Sequence, residues 1–292
     1  MPDHLTRVLS LDGTLRACAA ETTGLVEEIR KRQRTDPTAT VAIGRLATGA
    51  ALMSSLLKGR QRLGLIIEGN GPLKKLQAEA NAAGDVRAKV KNPDPGLPPK
   101  NGRFDVAGAV GQAGFLHVIK DLGLKEPYRG MVQLQTSEVA EDLAYYFSVS
   151  EQTPSSVAIG VELGAQFEVS VAGGFMLQLM PETDLNRINV LEERLALLPP
   201  TTSLLREGCS PSALLADLLE GIPYQVLAET PLRFSCLCSP DQSGKLLQML
   251  GAEDLDRLLA EQGEATVTCE YCKQSYHFDR TALAAIKASL ES

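Results

Sequence analysis

RLGLIIEGNGPLKKLQAEANAAGDVRAKVKNP, running from Arg62 to Pro93, holds three short strand-like runs, RLGLIIEGNG, LKKLQAEAN and DVRAKVKNP, divided by glycine-bearing turns. Connections this short join antiparallel neighbours, because a parallel pair needs a crossover of a dozen residues or more. A proline-rich loop from Asn92 to Lys100 follows, and FDVAGAVG (Phe104 to Gly111) and GFLHVIKDLG (Gly114 to Gly123) then read as two more strands. The segment therefore predicts a mainly antiparallel sheet.

Upstream, RVLSLDGTLRACAAET places Asp12-Gly13 between two alternating runs, a dipeptide suited to a hairpin turn. Helices are predicted from Thr23 to Arg34 and from Thr38 to Lys58, parted by Asp36-Pro37. Downstream, TSEVAEDLAYYFSVSEQTPS reads as a helix ending near Ser150, and SVAIGVEL and FEVSVAGGFMLQLMP as two strands. From Glu182 to Thr230 the chain turns to leucine-rich helix broken by prolines, with helices predicted from Asp184 to Leu197 and from Pro211 to Leu219. Ser210, Pro211 and Gly221 punctuate the second of these. Further helices are predicted from Glu253 to Glu261 and from Thr281 to Ser289. The expected fold is α+β in three parts: a core over 1–181 with mainly antiparallel sheet and helices, a helical linker over 182–230, and a small four-cysteine zinc domain over 231–292.

The composition narrows the function. With 292 residues and 44% hydrophobic content the chain can bury a large core and a smaller second one. A formal net charge of −7 argues against gripping phosphate backbones. Only three histidines (His4, His117, His277) are available for acid–base work, so the chain does not read as an ordinary hydrolase or other enzyme. The opening MPDHLTRVLSLDG lacks the basic start and apolar run of a signal peptide, and the apolar stretch Thr38–Leu57 is interrupted by Arg45 and rich in small residues. A cytoplasmic protein with no membrane partner is expected.

Six cysteines in a reducing compartment suggest ligands or redox thiols in preference to structural disulfides. Cys236 and Cys238 in FSCLCS lie two apart, so in extended chain both side chains point to one face. Cys269 and Cys272 in TCEYCK have the spacing of a zinc knuckle. Four thiolates at about 2.3 Å complete the tetrahedral shell that zinc prefers. Cys236, Cys238, Cys269 and Cys272 are therefore the expected Zn2+ ligands, with thirty residues between the pairs. Such a site is either a constitutive staple for a tail with little core of its own, or a redox site whose paired thiolates form disulfides and lose the metal. His277 is not needed as a ligand. Cys18 and Cys209 are isolated and are assigned no function, since lone cytosolic cysteines usually act as small buried hydrophobes. The run GAVGQAG at Gly108–Gly114 departs from phosphate-loop spacing and reads as turn glycines, and the basic run Arg30–Arg34 reads as a solvated helix face.

With those residues in view, the whole chain resembles the heat shock protein 33 family of redox-regulated chaperones. The resemblance rests on the C-x-C and C-x-x-C pairs and on GPLKKLQAEANAAGDVRA (Gly71–Ala88), EDLAYYFSVSEQTPS (Glu141–Ser155) and AGGFMLQLMP (Ala172–Pro181). It implies an ATP-independent holdase of the oxidative stress response, inactive with zinc bound. Oxidation forms a disulfide within each pair, Cys236 with Cys238 and Cys269 with Cys272, and expels the metal. The tail then unfolds, the linker exposes apolar surface to unfolding, aggregation-prone client proteins, and the activated form is a homodimer. There are two departures from the family pattern. Pro240, Asp241 and Gln242 stand where a basic stretch is common after the first pair, and Lys273 stands where a knuckle turn calls for Gly or Asn. The alternative class is a constitutive zinc-ribbon module binding nucleic acid or protein. Six basic against ten acidic residues from Gln225 to Ser292 argue against nucleic acid. A thiol oxidoreductase working through Cys269 and Cys272 lacks the thioredoxin-like pattern.

Overall fold

The computed structural model describes residues 2–181 and 183–290. Glu182, the first residue of the expected linker, and Met1, Glu291 and Ser292 lie outside the described residues. The elements run in the order β1 (His4–Ser10), β2 (Leu15–Glu21), α1 (Thr23–Gln33), α2 (Pro37–Ser54), β3 (Arg62–Gly69), β4 (Lys75–Asn81), β5 (Asp85–Val90), α3 (Val106–Val110), β6 (Gly114–Asp121), β7 (Tyr128–Gln133) and α4 (Val139–Val149). They continue with β8 (Ser155–Leu163), β9 (Val169–Leu179), α5 (Leu185–Leu197), α6 (Thr201–Arg206), α7 (Pro211–Leu218), β10 (Tyr224–Pro231) and β11 (Arg233–Phe234). The last stretch holds α8 (Pro240–Gln248), α9 (Ala252–Glu261), β12 (Ala265–Thr268), β13 (Ser275–Phe278) and α10 (Arg280–Ala288). The chain divides after Ser235 into two compact units.

In the first unit two sheets flank one helix. The first sheet has the order β10-β1-β2-β9-β8 and the second β11-β5-β4-β3-β6-β7. Neighbours pair antiparallel except β11 with β5, which are parallel. Helix α2 packs on β2, β8 and β9 of one sheet and on β3, β4 and β5 of the other. That position requires a helix apolar or small all round, and 16 of its 18 residues are buried. Asp36 starts it by accepting from the Ala39 amide (2.7 Å), with Pro37 in the first turn. Arg45, half-buried, pairs with Glu138.

The two faces of the first sheet are covered by different elements, because residues alternate across a strand. Cys18 and Ala20 of β2 point into the core around α2, whereas Leu15, Ala17 and Ala19 join Phe175 and Leu177 of β9 on the opposite face. There they meet Leu191 of α5, Leu214, Leu215 and Leu218 of α7, and Ile222. The predicted capping of α7 is present, with Ser210 Oγ accepting from the Ala213 amide at 3.2 Å. Arg187 of α5 donates to Asp12 and Thr14 in the β1–β2 turn, and Arg194 donates to the carbonyls of Leu218 (2.9 Å) and Glu220 (2.8 Å).

The structure differs from the sequence expectation at several elements. FDVAGAVG is not a strand: Val106–Val110 forms the short helix α3, capped by Asp105, which accepts from the Gly108 amide at 2.9 Å. Gly108 thus lies in a helix, and Gly111 ends it at φ +94°. Strand β7 and helices α6 and α8 were not anticipated. Nor was β10, an edge strand within the stretch expected to be helical linker, which pairs with β1 from His4↔Pro231 to Ser10↔Tyr224.

Candidate functional site

The second unit begins at Cys236 and contains both cysteine pairs. Its core is small: Leu247, Leu255, Phe278 and Leu283 are, with Cys272, its buried apolar side chains among the described residues, backed by partly buried neighbours such as Leu258, Tyr276 and Ile286. Helices α8, α9 and α10 pack on one another, and Lys287 of α10 reaches Asp256 of α9 at 2.7 Å. The β12–β13 hairpin pairs Ala265↔Phe278 through Thr268↔Ser275.

Two backbone features bring the pairs together. Cys236 and Cys238 lie in irregular chain that runs straight into α8, whose cap Ser239 accepts from the Gln242 amide at 3.2 Å. Cys269 and Cys272 bracket the tip of the hairpin, where the Cys269 amide donates to the Gln274 carbonyl and the Lys273 amide to the Cys269 carbonyl, both at 2.9 Å. Closing that turn puts Lys273 in the left-handed region at φ +60°, the conformation for which the sequence pattern called for Gly or Asn.

All four sulfurs lie within 4.8 Å of one another. Cys236 Sγ is 3.7 Å from Cys269 Sγ, and Cys238 Sγ is 3.2 Å from Cys272 Sγ. Four sulfurs about 2.3 Å from one tetrahedral ion stand about 3.8 Å apart, so the cluster matches such a shell in size. No disulfide joins any of the four. Burial pushes the Cys272 thiol up to about 12, with the neighbouring thiols adding to the shift. Burial also raises Cys238. Crowded sulfurs resist accumulating negative charge by themselves, and a multivalent cation reverses that balance by binding the thiolates. The donor set and its spacing thus fit a metal ion, and thiolate donors favour a soft or borderline one.

Sequence reasoning missed one side chain here. Tyr276 of β13 donates its hydroxyl to the Cys238 carbonyl (3.0 Å) and to Cys238 Sγ (3.2 Å), and this bond pushes its own pKa up to about 12. A lone tyrosine carries no spacing signal, and only the register of the hairpin brings it to the sulfur. His277, one position further, faces outward near Glu264 (3.6 Å) and is no part of the cluster. Cys18 is fully buried in the first unit, where burial lifts its thiol to about 11, and Cys209 is half-buried against the leucines of α5–α7. No helix among the described residues is long and apolar enough to cross a membrane.

A family model described as Hsp33 protein matches residues 3–279. The chain is 56% identical over 288 residues to the 33 kDa chaperonin of Syntrophotalea carbinolica, covering 99% of this chain and 100% of the relative. It is 47% identical over 288 residues to the 33 kDa chaperonin of Geobacter sulfurreducens, covering 99% and 96%. The crystal structure of the 33 kDa chaperonin (heat shock protein 33 homolog) from Thermotoga maritima superimposes with a TM-score of 0.91 at 33% identity, over 100% of both chains.

Proposed function

The chain belongs to the Hsp33 family, and from that membership we propose that it is a redox-regulated, ATP-independent chaperone whose switch is the cluster Cys236, Cys238, Cys269 and Cys272. The single observation that carries this reading is the gathering of four cysteine sulfurs, with no disulfide among them, within 4.8 Å in a unit with very little core. In the reduced state Cys236, Cys238, Cys269 and Cys272 would hold zinc, which would offset part of their negative charge and fasten the hairpin tip to the segment 236–238. The division of labour follows the three parts of the sequence: core 1–181, lever 182–230 and switch 231–292.

Peroxide is the oxidant. One thiolate of a pair attacks the O–O bond, giving a sulfenic acid and releasing hydroxide; the second thiolate then displaces hydroxide to form the disulfide. With two protons from solvent, each pair gives up two electrons and one peroxide becomes two waters. The expected products are Cys236–Cys238 and Cys269–Cys272. Each bond draws two sulfurs to about 2.05 Å and removes two donors from the shell. Without its ligands the second unit unfolds, and through the covalent junction at Ser235–Cys236 the helices α5–α7 loosen from the first sheet. Their separation exposes Leu191, Leu214, Leu215 and Leu218 together with Phe175 and Leu177. An apolar area of this kind binds unfolding client proteins, or a second copy in a homodimer. The expected setting is the cytoplasm, with no nucleic acid or membrane partner.

The test is peroxide treatment of the zinc-loaded chain, following metal release with a chromogenic chelator and the aggregation of a heat-unfolding client by light scattering. Metal release with suppressed aggregation is expected, and disulfide mapping should find the bonds within each pair. Release of metal with undiminished client aggregation would overturn the proposal.

A further inference from the structure

The Tyr276 hydroxyl is hydrogen-bonded both to the Cys238 carbonyl (3.0 Å) and to the Cys238 sulfur (3.2 Å). Its ring is packed in the small core beside Phe278, on the inward side of β13, while Ser275 and His277 point outward. The hydroxyl is therefore held in place by the same core that supports the hairpin. Its partner, Cys238, sits in irregular chain with no strand to fix it. A phenol that donates to a sulfur draws on the lone-pair density with which that sulfur binds a metal or attacks an oxidant.

We infer that Tyr276 is a positioning residue of the thiol site: its hydroxyl orients Cys238 through the carbonyl and the sulfur together, and restrains the reactivity of that sulfur toward peroxide. This rests on the metal-and-thiol reading of the cluster and adds a residue outside the cysteines that sets how readily the site gives way. The coupling also runs from packing to chemistry, since any loosening of the small core withdraws the hydroxyl from Cys238.

Tyr276→Phe keeps the ring and removes only the donor. Cobalt(II) serves as the probe, because its thiolate charge-transfer band reports on the electron density of the ligating sulfurs. The Phe variant is expected to bind one equivalent of cobalt with a shifted band and to lose it to peroxide several-fold faster than the unaltered chain. Ser275→Ala is the control for a merely structural effect. It removes a 2.8 Å hydrogen bond with Thr268 from the same hairpin without touching a sulfur, and should leave the band in place. An unmoved band and an unchanged release rate in Tyr276→Phe overturn the inference while leaving the switch intact. An unaltered chain that binds cobalt but keeps it through peroxide overturns the switch, and the band position still decides for or against Tyr276. Absence of a thiolate band in the unaltered chain overturns both.

Discussion

Lys273 shows how a single residue records the demands of the site. The turn that brings Cys269 and Cys272 to one side needs a left-handed residue at 273, and a lysine at φ +60° meets that need under strain. Relief of about 1–2 kcal/mol of left-handed strain outweighs the roughly 0.5–1 kcal/mol entropic cost of glycine, so Lys273→Gly should stabilise the metal-loaded second unit by about 0.5–1 kcal/mol. Urea unfolding read on metal retention checks this, and an unchanged or lower midpoint counts against it. In the first unit, Glu27 accepts from Arg30 Nε (2.7 Å), Arg30 Nη2 (2.8 Å) and the Val169 amide (3.0 Å). The Arg30 guanidinium, helped by that amide, holds its carboxyl down from 4.5 to about 2. The unfolded chain takes up this proton at higher pH than the folded one, so the stabilisation is complete above about 4.5 and is lost as pH falls toward about 2. Glu27→Gln should flatten the decline of stability across that window, seen as a difference between the two chains in thermal melts at stepped pH. Parallel curves would mean that Glu27 is not linked to folding.

At the scale of elements, helix α8 offers a sharp test. Gly244 is buried inside it, and a Cβ added there would meet Ile286 Cδ1 at 3.6 Å and Phe278 Cε1 at 3.8 Å, both ordinary contacts. Gly244→Ala should therefore gain about 1 kcal/mol of helix propensity, raise the urea midpoint of the second unit and slow metal release in peroxide. A fall in that midpoint would show that α8 has no room for the methyl group. Helix α8 escaped the sequence reading: Ser239 and Pro240 form a cap and first-turn pair, but Gly244 and the polar Asp241-Gln242-Ser243 hide its apolar face. Strand β7 was invisible for a related reason: only Val132 of its six residues is buried, so alternation is missing. Its Gly130 is required by the close approach of Tyr146, whose Cε2 would lie 2.8 Å from an added Cβ. Strand β10 is an edge strand with an exposed Val226 and Leu227, and it too lacks the period that marks a half-buried strand. Helix α3 misleads because five residues, VAGAV, are too short to show a helical period and two of them are β-branched. In contrast, α2, β3–β6 and β9 were readable, since each buries a regular face or nearly the whole of its surface. The four cysteines were readable from spacing alone, whereas Tyr276 was not, because its role depends on the hairpin register and on where the segment 236–238 runs.

For the whole molecule, the two units differ in what holds them folded. The first buries Tyr146, Phe147, Phe175 and a continuous apolar core around α2, and its second cluster ties α5–α7 to the sheet. The second has a core cluster of four buried apolar side chains among the described residues and exposes Leu237, Leu246, Met249 and Leu250. A core of that size falls short of the conformational entropy of nearly sixty ordered residues, and below about 70–80 residues such units ordinarily need a metal or disulfides. Structural zinc contributes about 10–16 kcal/mol in small peptides, enough to decide whether the unit folds. A strong chelator under reducing conditions should therefore unfold the second unit without any oxidation. Hydrogen exchange should show protection lost from α8, α9, α10 and the β12–β13 hairpin, while the amides of α2, β3 and β4 stay protected. The same experiment divides the switch into its parts. If chelation alone also frees α5–α7, their amides exchange with those of the second unit, and metal loss is sufficient to expose the leucines. If they remain protected until peroxide is added, disulfide formation supplies something beyond the removal of ligands. Protection that persists throughout the second unit after complete metal removal would instead show that its small core folds by itself, and the cluster would then be a passenger on that fold and not its fastening.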